Sequence, residues 1–134
     1  MFPAAKVLLK EAAHIGHGAI IHGATIGKNA MVGMNSVIMD NAIIGEECII
    51  GALSFVKANA NIPPRSLLVG NPGRIIKKVT EDMIKWKTKG TQLYQTFPAE
   101  YASSLKEVEP LREIPENRPD QDSLYKTWNE IKDS

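Results

Sequence analysis

Three histidines lie close together near the start of the chain, at His14, His17 and His22. Neutral imidazole is the commonest metal ligand in proteins, and it is also a general base near neutral pH. A catalytic zinc ion normally takes three protein ligands and keeps one position for water. The histidines therefore suggest either a metal site or a general base, and the elements that carry them decide which side chains can meet.

A six-residue repeat organises the segment that carries and follows the histidines. Branched aliphatic residues recur at Ile20, Ile26, Val32, Ile38, Ile44, Ile50, Val56 and Ile62. Small residues stand two positions earlier, at Ala24, Ala30, Ser36, Ala42, Cys48, Ser54 and Ala60. A period of six fits neither an amphipathic helix nor an alternating strand. It predicts an all-β solenoid, a parallel β-helix of hexapeptide repeats with about three coils and three strands per coil. The repeat is similar to the class of such prisms that winds left-handed.

The period also predicts which side chains fill the prism. Residues eighteen apart should stack in three columns: Ile20, Ile38 and Val56; Ile26, Ile44 and Ile62; Val32 and Ile50. In this register His14 takes an interior position one hexad before Ile20, which favours a structural role. His17 and His22 fall outside the prism near its corners. They could meet at adjacent corners or across an interface between subunits.

The flanking segments have different patterns. We expect a capping helix or a disordered lead-in over residues 1–13, with the helix over 3–13, and the prism over 14–62. Pro63 and Pro64 remove two backbone donors and should end the repeat. An exit loop over 63–79 and helices over 80–110 should follow, with Thr80 as N-cap and Pro98 dividing the helices. The tail over 111–134 is polar, with a short helix around residues 124–131.

Composition narrows the class of protein. The chain has 134 residues and a net charge of +1, so neither a nucleic-acid partner nor a membrane partner is implied. No signal peptide is recognisable, and the cytoplasm is the expected compartment. The single cysteine, Cys48, is expected to be a buried structural thiol. Because so few coils bury a small core, we expect the C-terminal helices and neighbouring subunits to complete it in a homotrimer.

The histidine segment also resembles a known family. The sequences H-I-G-H-G-A-I-I-H-G-A-T-I-G and V-G-M-N-S-V-I-M-D-N-A-I-I-G-E-E are similar to γ-class carbonic anhydrases, and most similar to the hexapeptide proteins of phenylacetate and carnitine operons. The exit loop L-V-G-N-P-G-R resembles that of hexapeptide transferases. The resemblance covers about residues 14–119 and implies that His17 and His22 are zinc ligands, supplied by two neighbouring subunits. The family's third histidine lies in an upstream coil that this sequence does not contain. The chain thus resembles a family member that begins part-way through, and the zinc site is expected to be weak or incomplete.

Three functions follow as hypotheses. The first is a γ-carbonic-anhydrase-like zinc protein acting on carbon dioxide or bicarbonate, or a hydrolase of CoA thioesters using the same metal. The second is a hexapeptide acyltransferase, with His17 or His22 as general base and CoA along the prism. The third is a non-enzymatic accessory or scaffold trimer. The acyl-CoA substrates are implied by the resemblance alone.

Overall fold

The structure is a computed structural model that describes residues 6–117 and residue 128. It divides into two compact units, Met1–Thr91 and Gln92–Ser134. The first unit holds every strand found among the described residues, and helix α1, Glu81–Ser104, begins in the first unit and ends in the second.

The first unit is a parallel β-solenoid built from very short strands. Ten strands of two residues each are β1 Leu8–Leu9, β2 His14–Ile15, β3 Ile20–Ile21, β4 Thr25–Ile26, β5 Met31–Val32, β6 Val37–Ile38, β7 Ile43–Ile44, β8 Ile49–Ile50, β9 Phe55–Val56 and β10 Asn61–Ile62. Every third strand pairs in parallel, giving the ladders β1-β4-β7-β10, β2-β5-β8 and β3-β6-β9. Three sheets that each run along the coil axis form a three-sided prism, so the predicted fold class is confirmed.

The interior of the prism follows the predicted six-residue period from Ile26 onward. Ile26 pairs with Ile44 and Ile44 with Ile62, while Val32 pairs with Ile50. The side chains of these five residues are at most 7% exposed. Stacking of branched aliphatics in crowded, flat strands buries apolar area without voids, which is the main source of stability for such a fold.

The first column departs from prediction, because the register slips by one residue in the first coil. Ile21, and not Ile20, pairs with Ile38, and the side chain of Ile20 is 54% exposed. Leu8 pairs with Thr25, a separation of 17 residues, whereas Thr25 pairs with Ile43, a separation of 18. The placement of Ile20 in the core was therefore wrong. The first coil is one residue shorter than the coils below it.

The corners of the prism explain the asparagines and the glycine at position 45. Asn29, Asn35, Asn41 and Asn59 adopt positive φ angles of 53–60°, a left-handed conformation that asparagine tolerates better than most residues. A side chain at Gly45 would place its Cβ 2.5 Å from the backbone nitrogen of Pro64 in the next coil. Close approach of successive coils therefore requires a residue without Cβ at this position.

Cys48 is fully buried at a small-residue position, as predicted. Its Sγ donates a hydrogen bond to the carbonyl oxygen of Pro63 at 3.0 Å, and burial raises the pKa of the thiol. A protonated, buried thiol is a packing group and not a nucleophile.

Both ends of the prism differ from the sequence-based expectation. The predicted helix over residues 3–13 was wrong where the structure describes that segment, because β1 forms a strand that pairs with β4. Pro63 and Pro64 lie at a corner and do not end the coil. Strand β11, Ser66–Val69, continues the parallel ladder on β8, with Leu68 beside Ile50 in the core.

A hairpin replaces most of the predicted exit loop. Strand β12, Arg74–Lys78, pairs antiparallel with β11 around a turn at residues 70–73. Helix α1 follows, and the hydroxyl oxygen of Thr80 accepts a hydrogen bond from the backbone N–H of Met83 at 3.3 Å, as expected of an N-cap. The helix continues through Pro98, so the predicted division into two helices was wrong.

The second unit contains the end of α1 and an irregular segment. Phe97 lies between Tyr94 and Tyr101, with ring centroids 5.3 and 5.6 Å away. Residues 105–117 have no helix or strand and are exposed. The short helix predicted around residues 124–131 lies outside the described residues, except for Trp128, which is helical. Among the described residues, no helix combines the length and apolar content needed to cross a bilayer.

Candidate functional site

His22 lies at the corner where the first coil is one residue short. Its backbone N–H donates to the carbonyl oxygen of Ile38 at 2.8 Å, and in the next coil Met39 donates to Val56 in the same way at 3.0 Å. His22 therefore stacks above Met39. The backbone N–H of Asn41 donates to the carbonyl oxygen of Gly23, as that of Asn59 donates to Asp40 in the next coil, so Gly23, which has no side chain, stands above Asp40.

The side chain of His22 contacts the carboxylate of Asp40. Nδ1 of the imidazole lies 2.9 Å from Oδ2 of Asp40, and the two side chains are 44% and 29% exposed. A carboxylate accepts hydrogen bonds and donates none, so Nδ1 carries the proton. In the neutral ring this leaves the lone pair on Nε2 available to another molecule. A base held by a carboxylate on its other nitrogen is a common arrangement in general-base and metal sites.

His17 lies at a different corner, in the turn between β2 and β3. It is exposed, and its carbonyl oxygen accepts a hydrogen bond from the backbone N–H of Asn35 at 2.9 Å. His22 follows the other end of β3, and five residues of extended chain span roughly 16 Å. One chain therefore does not bring His17 and His22 to a common point, and a shared ion would need a second copy.

His14 was wrongly placed in the interior, because the register slip gives that position to Ile15, which pairs with Val32. Nδ1 of His14 lies 3.1 Å from the hydroxyl oxygen of Thr91 in helix α1. Burial lowers the pKa of His14, and the charges of Lys87 and His17 lower it further. His14 is half-buried and joins the helix to the prism, which supports the structural role expected for it.

Lys87 is buried in the same region, with only 3% of the residue exposed. Its Nζ donates to the carbonyl oxygen of Ala12 at 2.8 Å and to Oδ1 of Asn29 at 2.6 Å. Nδ2 of Asn29 donates in turn to the hydroxyl oxygen of Thr88 at 2.9 Å. Burial lowers the pKa of Lys87 to about 8. These contacts attach the start of α1 to two corners of the prism.

An open pocket of about 250 Å³ lies at the other end of the prism. It is lined by Phe55, Val56, Lys57, Ala60, Ile62, Leu68, Pro72, Gly73 and Arg74. Neither Lys57 nor Arg74 forms an ion pair with another described residue. Lys57 follows Val56 as Met39 follows Ile38, so it lies two coils below His22 on the same corner. At about 4.8 Å per coil, the two backbones are about 10 Å apart along the axis.

Residues 23–58 match the family model of the bacterial transferase hexapeptide, six repeats. The chain carries these hexapeptide repeats within its parallel β-solenoid. It is 51% identical over 112 residues to the carnitine operon protein CaiE of Escherichia coli O139:H28 and of Shigella flexneri. The alignment covers 84% of this chain and 57% of CaiE, so the chain spans little more than half the length of these curated relatives.

Two solved structures resemble this hexapeptide-repeat protein. A Bacillus cereus protein assigned as an acetyltransferase is 31% identical, with a TM-score of 0.68 over 72% of this chain and 61% of that one. A perosamine N-acetyltransferase variant from Caulobacter crescentus, in complex with CoA and GDP-perosamine, is 26% identical. Its TM-score is 0.50 over 54% of this chain and 34% of that one.

The described residues of one chain do not supply the three ligands of a catalytic zinc site. Among residues 6–117 and 128, no three His, Cys, Asp or Glu side chains are grouped closely enough to hold a metal ion. Catalytic zinc sites use three protein ligands. His22, held through Nδ1, fits as one ligand, and His17 lies at another corner. His17 and His22 of one chain do not meet, so the expected zinc site between neighbouring subunits stays a prediction, and we derive no step through a metal.

Sequence reasoning missed Asp40, Lys57 and Arg74 as candidate functional residues. The role of Asp40 could have been predicted from the two adjacent isoleucines, Ile20 and Ile21. Either of them can take the interior position. Choosing Ile21 leaves only five residues to Ile26, and the short interval marks the corner where His22 meets Asp40.

Proposed function

We propose that this chain is part of a CoA-dependent acyltransferase of the hexapeptide class, with His22 as its general base. The proposal rests on the contact between Nδ1 of His22 and the carboxylate of Asp40. It leaves Nε2 to accept a proton from the hydroxyl or amine of an acceptor as that group attacks a thioester carbonyl. The carbon–sulfur bond then breaks, and the protonated imidazole returns the proton to the departing CoA thiolate.

The same corner offers a place for CoA. The pantetheine arm separates the thioester of CoA from its phosphates, so a base and a phosphate-binding cation should stand apart along one edge of the protein. Lys57 stands on the corner of His22 two coils below, and Arg74 lines the pocket beside it. Both cations lack a carboxylate partner among the described residues, so they are available to an anionic ligand. The acetyltransferase likeness of the Bacillus and Caulobacter structures supports this proposal.

Acetyl-CoA turnover with a panel of amines and sugars tests the proposal. We expect His22→Gln to lower kcat about 10²–10⁴-fold, the usual contribution of a general base. His17→Gln is the matched control, and it should retain most of the activity. Transfer that is unchanged in His22→Gln would contradict the assignment of the base.

CoA binding is measured separately by calorimetry. Replacing Lys57 or Arg74 with Gln removes a charge from the proposed phosphate contact and should raise the Kd for CoA about tenfold or more. Lys77→Gln, on the exposed strand β12, is the control for loss of surface charge. Equal effects of all three substitutions would argue against a specific phosphate site.

A γ-carbonic-anhydrase-like zinc protein is the second candidate, favoured by the spacing of His17 and His22. In this case a homotrimer would bring His17 of one copy to His22 of another, and the Nδ1 contact with Asp40 would orient the second ligand. Metal analysis of the purified oligomer separates the two proposals. Stoichiometric zinc that disappears in both His17→Ala and His22→Ala supports the metal site, whereas the acyltransferase requires His22 alone. A non-enzymatic trimer remains if neither assay gives a signal.

A further inference from the structure

The corner of the first coil that stacks on Asp40 is one residue short. In a complete corner three residues separate one interior aliphatic from the next small residue, as Met39, Asp40 and Asn41 do. In the first coil only His22 and Gly23 fill this interval, and the backbone of Gly23 is bonded by Asn41. Asp40 accepts the same backbone bond from Asn59 in the next coil, so Gly23 is the residue above Asp40. Because Gly23 has no side chain, the carboxylate of Asp40 contacts the imidazole of the neighbouring His22.

We propose that the missing corner residue creates the His22–Asp40 pair, and that Asp40 is a positioning residue for the base. The expected effect of Asp40 on kcat rests on the proposed function. The effect of Asp40 on the tautomer of His22 does not. The carboxylate of Asp40 accepts a hydrogen bond from Nδ1–H of neutral His22, which fixes the tautomer and the ring orientation. The lone pair of Nε2 is then available to the acceptor substrate without a prior proton shift.

Among the described residues, few other side chains could form a hydrogen bond with the His22 ring. His22 has no other side-chain hydrogen bond, and Asn41 is engaged by Asn59, whose Oδ1 accepts from Nδ2 of Asn41 at 3.3 Å. The nearest equivalent of Asp40 in the coil below is Ala58, which has no polar side chain. Asp40 is thus the group that can select between the two neutral forms of the His22 ring.

Nitrogen-15 NMR of the unliganded full chain tests the tautomer directly. His14→Gln and His17→Gln variants assign the signals of His22. We expect the wild type to show the Nδ1–H form, and Asp40→Asn to shift the ring towards the Nε2–H form because an amide can donate to Nδ1. Asp82→Asn, an exposed acidic residue at the start of α1, is the control for charge loss and should leave His22 unchanged.

The catalytic consequence is a change in kcat at nearly constant KM. Loss of the correct tautomer in a carboxylate–histidine pair lowers kcat by up to about 10⁴-fold. Asp40→Asn should therefore lower kcat about 10²–10⁴-fold, and Asp40→Glu should restore part of the loss. A purely structural role for Asp40 would lower the yield of folded protein and leave the kcat of the folded fraction unchanged.

Insertion of one residue tests the role of the shortened corner. An Asn placed between His22 and Gly23 restores the longer spacing, and we expect the Nδ1–H signal of His22 to disappear while the circular dichroism spectrum is kept. An Asn inserted between Glu107 and Val108, in the exposed segment after α1, is the control. An unchanged His22 tautomer after the first insertion, or an Nε2–H form in the wild type, would overturn the proposal. If the wild type transfers no acyl group but the variants shift the His22 tautomer as expected, the acyltransferase is rejected and the positioning of His22 by Asp40 is upheld.

Discussion

The first coil and the coils below it have the same kinds of residue at interior positions, but they bury these residues to different extents. From Ile26 to Ile62 the repeat is regular, and every interior aliphatic is at most 7% exposed. In the first coil Leu9 pairs with Ile26 but is 49% exposed, since no described coil stacks above it. This coil is one residue short and carries all three histidines. The regular coils thus form the core, and the irregular coil carries the candidate site.

The difference shows how a repeat protein gains a site without losing its core. A regular stack gives each corner residue an equivalent neighbour above and below, so side chains of one type meet in ladders, as Asn41 and Asn59 do. One deletion breaks this equivalence and brings unlike side chains, His22 and Asp40, together. Departures from a local rule are expected where function requires a special contact.

The largest predicted effect is in the regular coils. Ile44→Ala removes a side chain that is 1% exposed and should lower the free energy of unfolding by about 2–5 kcal/mol. Ile43→Ala, at a neighbouring residue that is 50% exposed, should cost less than about 1 kcal/mol. Urea denaturation measures both. If Ile44→Ala does not fold, Ile44→Val should cost about 0.5–1.5 kcal/mol, and equal losses at positions 43 and 44 would contradict the assigned register.

The next effect depends on pH and concerns Lys87, which bonds to corners of both regions at Ala12 and Asn29. Its pKa falls from 10.5 to about 8 in the folded chain because of burial. Between these values the unfolded chain binds more protons, so the contribution of Lys87 to stability rises with pH. Relative to Lys87→Met, the wild type should gain about 1–3 kcal/mol between pH 7.5 and pH 10.5. A flat difference across this window would mean that Lys87 is solvated.

A smaller effect separates the two possible registers of the first coil. Ile21 packs against the core, whereas Ile20 is 54% exposed. Ile21→Ala should lower the free energy of unfolding by about 1–2 kcal/mol, and Ile20→Ala by less than about 0.5 kcal/mol. Thermal and urea unfolding of the two variants give the comparison. A greater loss at position 20 would restore the unbroken six-residue repeat.

The smallest effect is expected at the exposed ion pair between Lys28 and Glu11, which joins the first two coils at 2.8 Å. Exposed pairs contribute little, because solvent and salt screen them and both side chains lose freedom. Lys28→Ala should leave the urea midpoint nearly unchanged at 0.15 M salt. A clear decrease that high salt abolishes would show that this pair holds the first coil in place.

The sequence predicts the prism well because its signal is repeated many times. The period from Ile26 to Ile62 identifies the core residues, the small positions and the buried Cys48. The register of the first coil could not be predicted, since Ile20 and Ile21 are both isoleucine and both satisfy the local pattern. Pairing with Ile38 decides between them, and pairing is a property of the folded stack.

The ends of the chain were predicted poorly for a different reason. The segment around Leu8 has an apolar face at helical spacing, but pairing with β4 overrides this weak preference. At Pro98 the missing N–H was expected to end the helix, and the structure tolerates it. The Asp40 contact was missed because it depends on the register slip. The Lys87 contacts were missed because they join α1 to residues more than fifty positions away.

A crystal structure of the chain would test the central claim most directly, through the register of the first coil at its histidine corner. We expect Ile21 to lie beside Ile38 in the core, with Nδ1 of His22 about 2.9 Å from the carboxylate of Asp40. Ile20 in the core, with His22 turned away from Asp40, would contradict it.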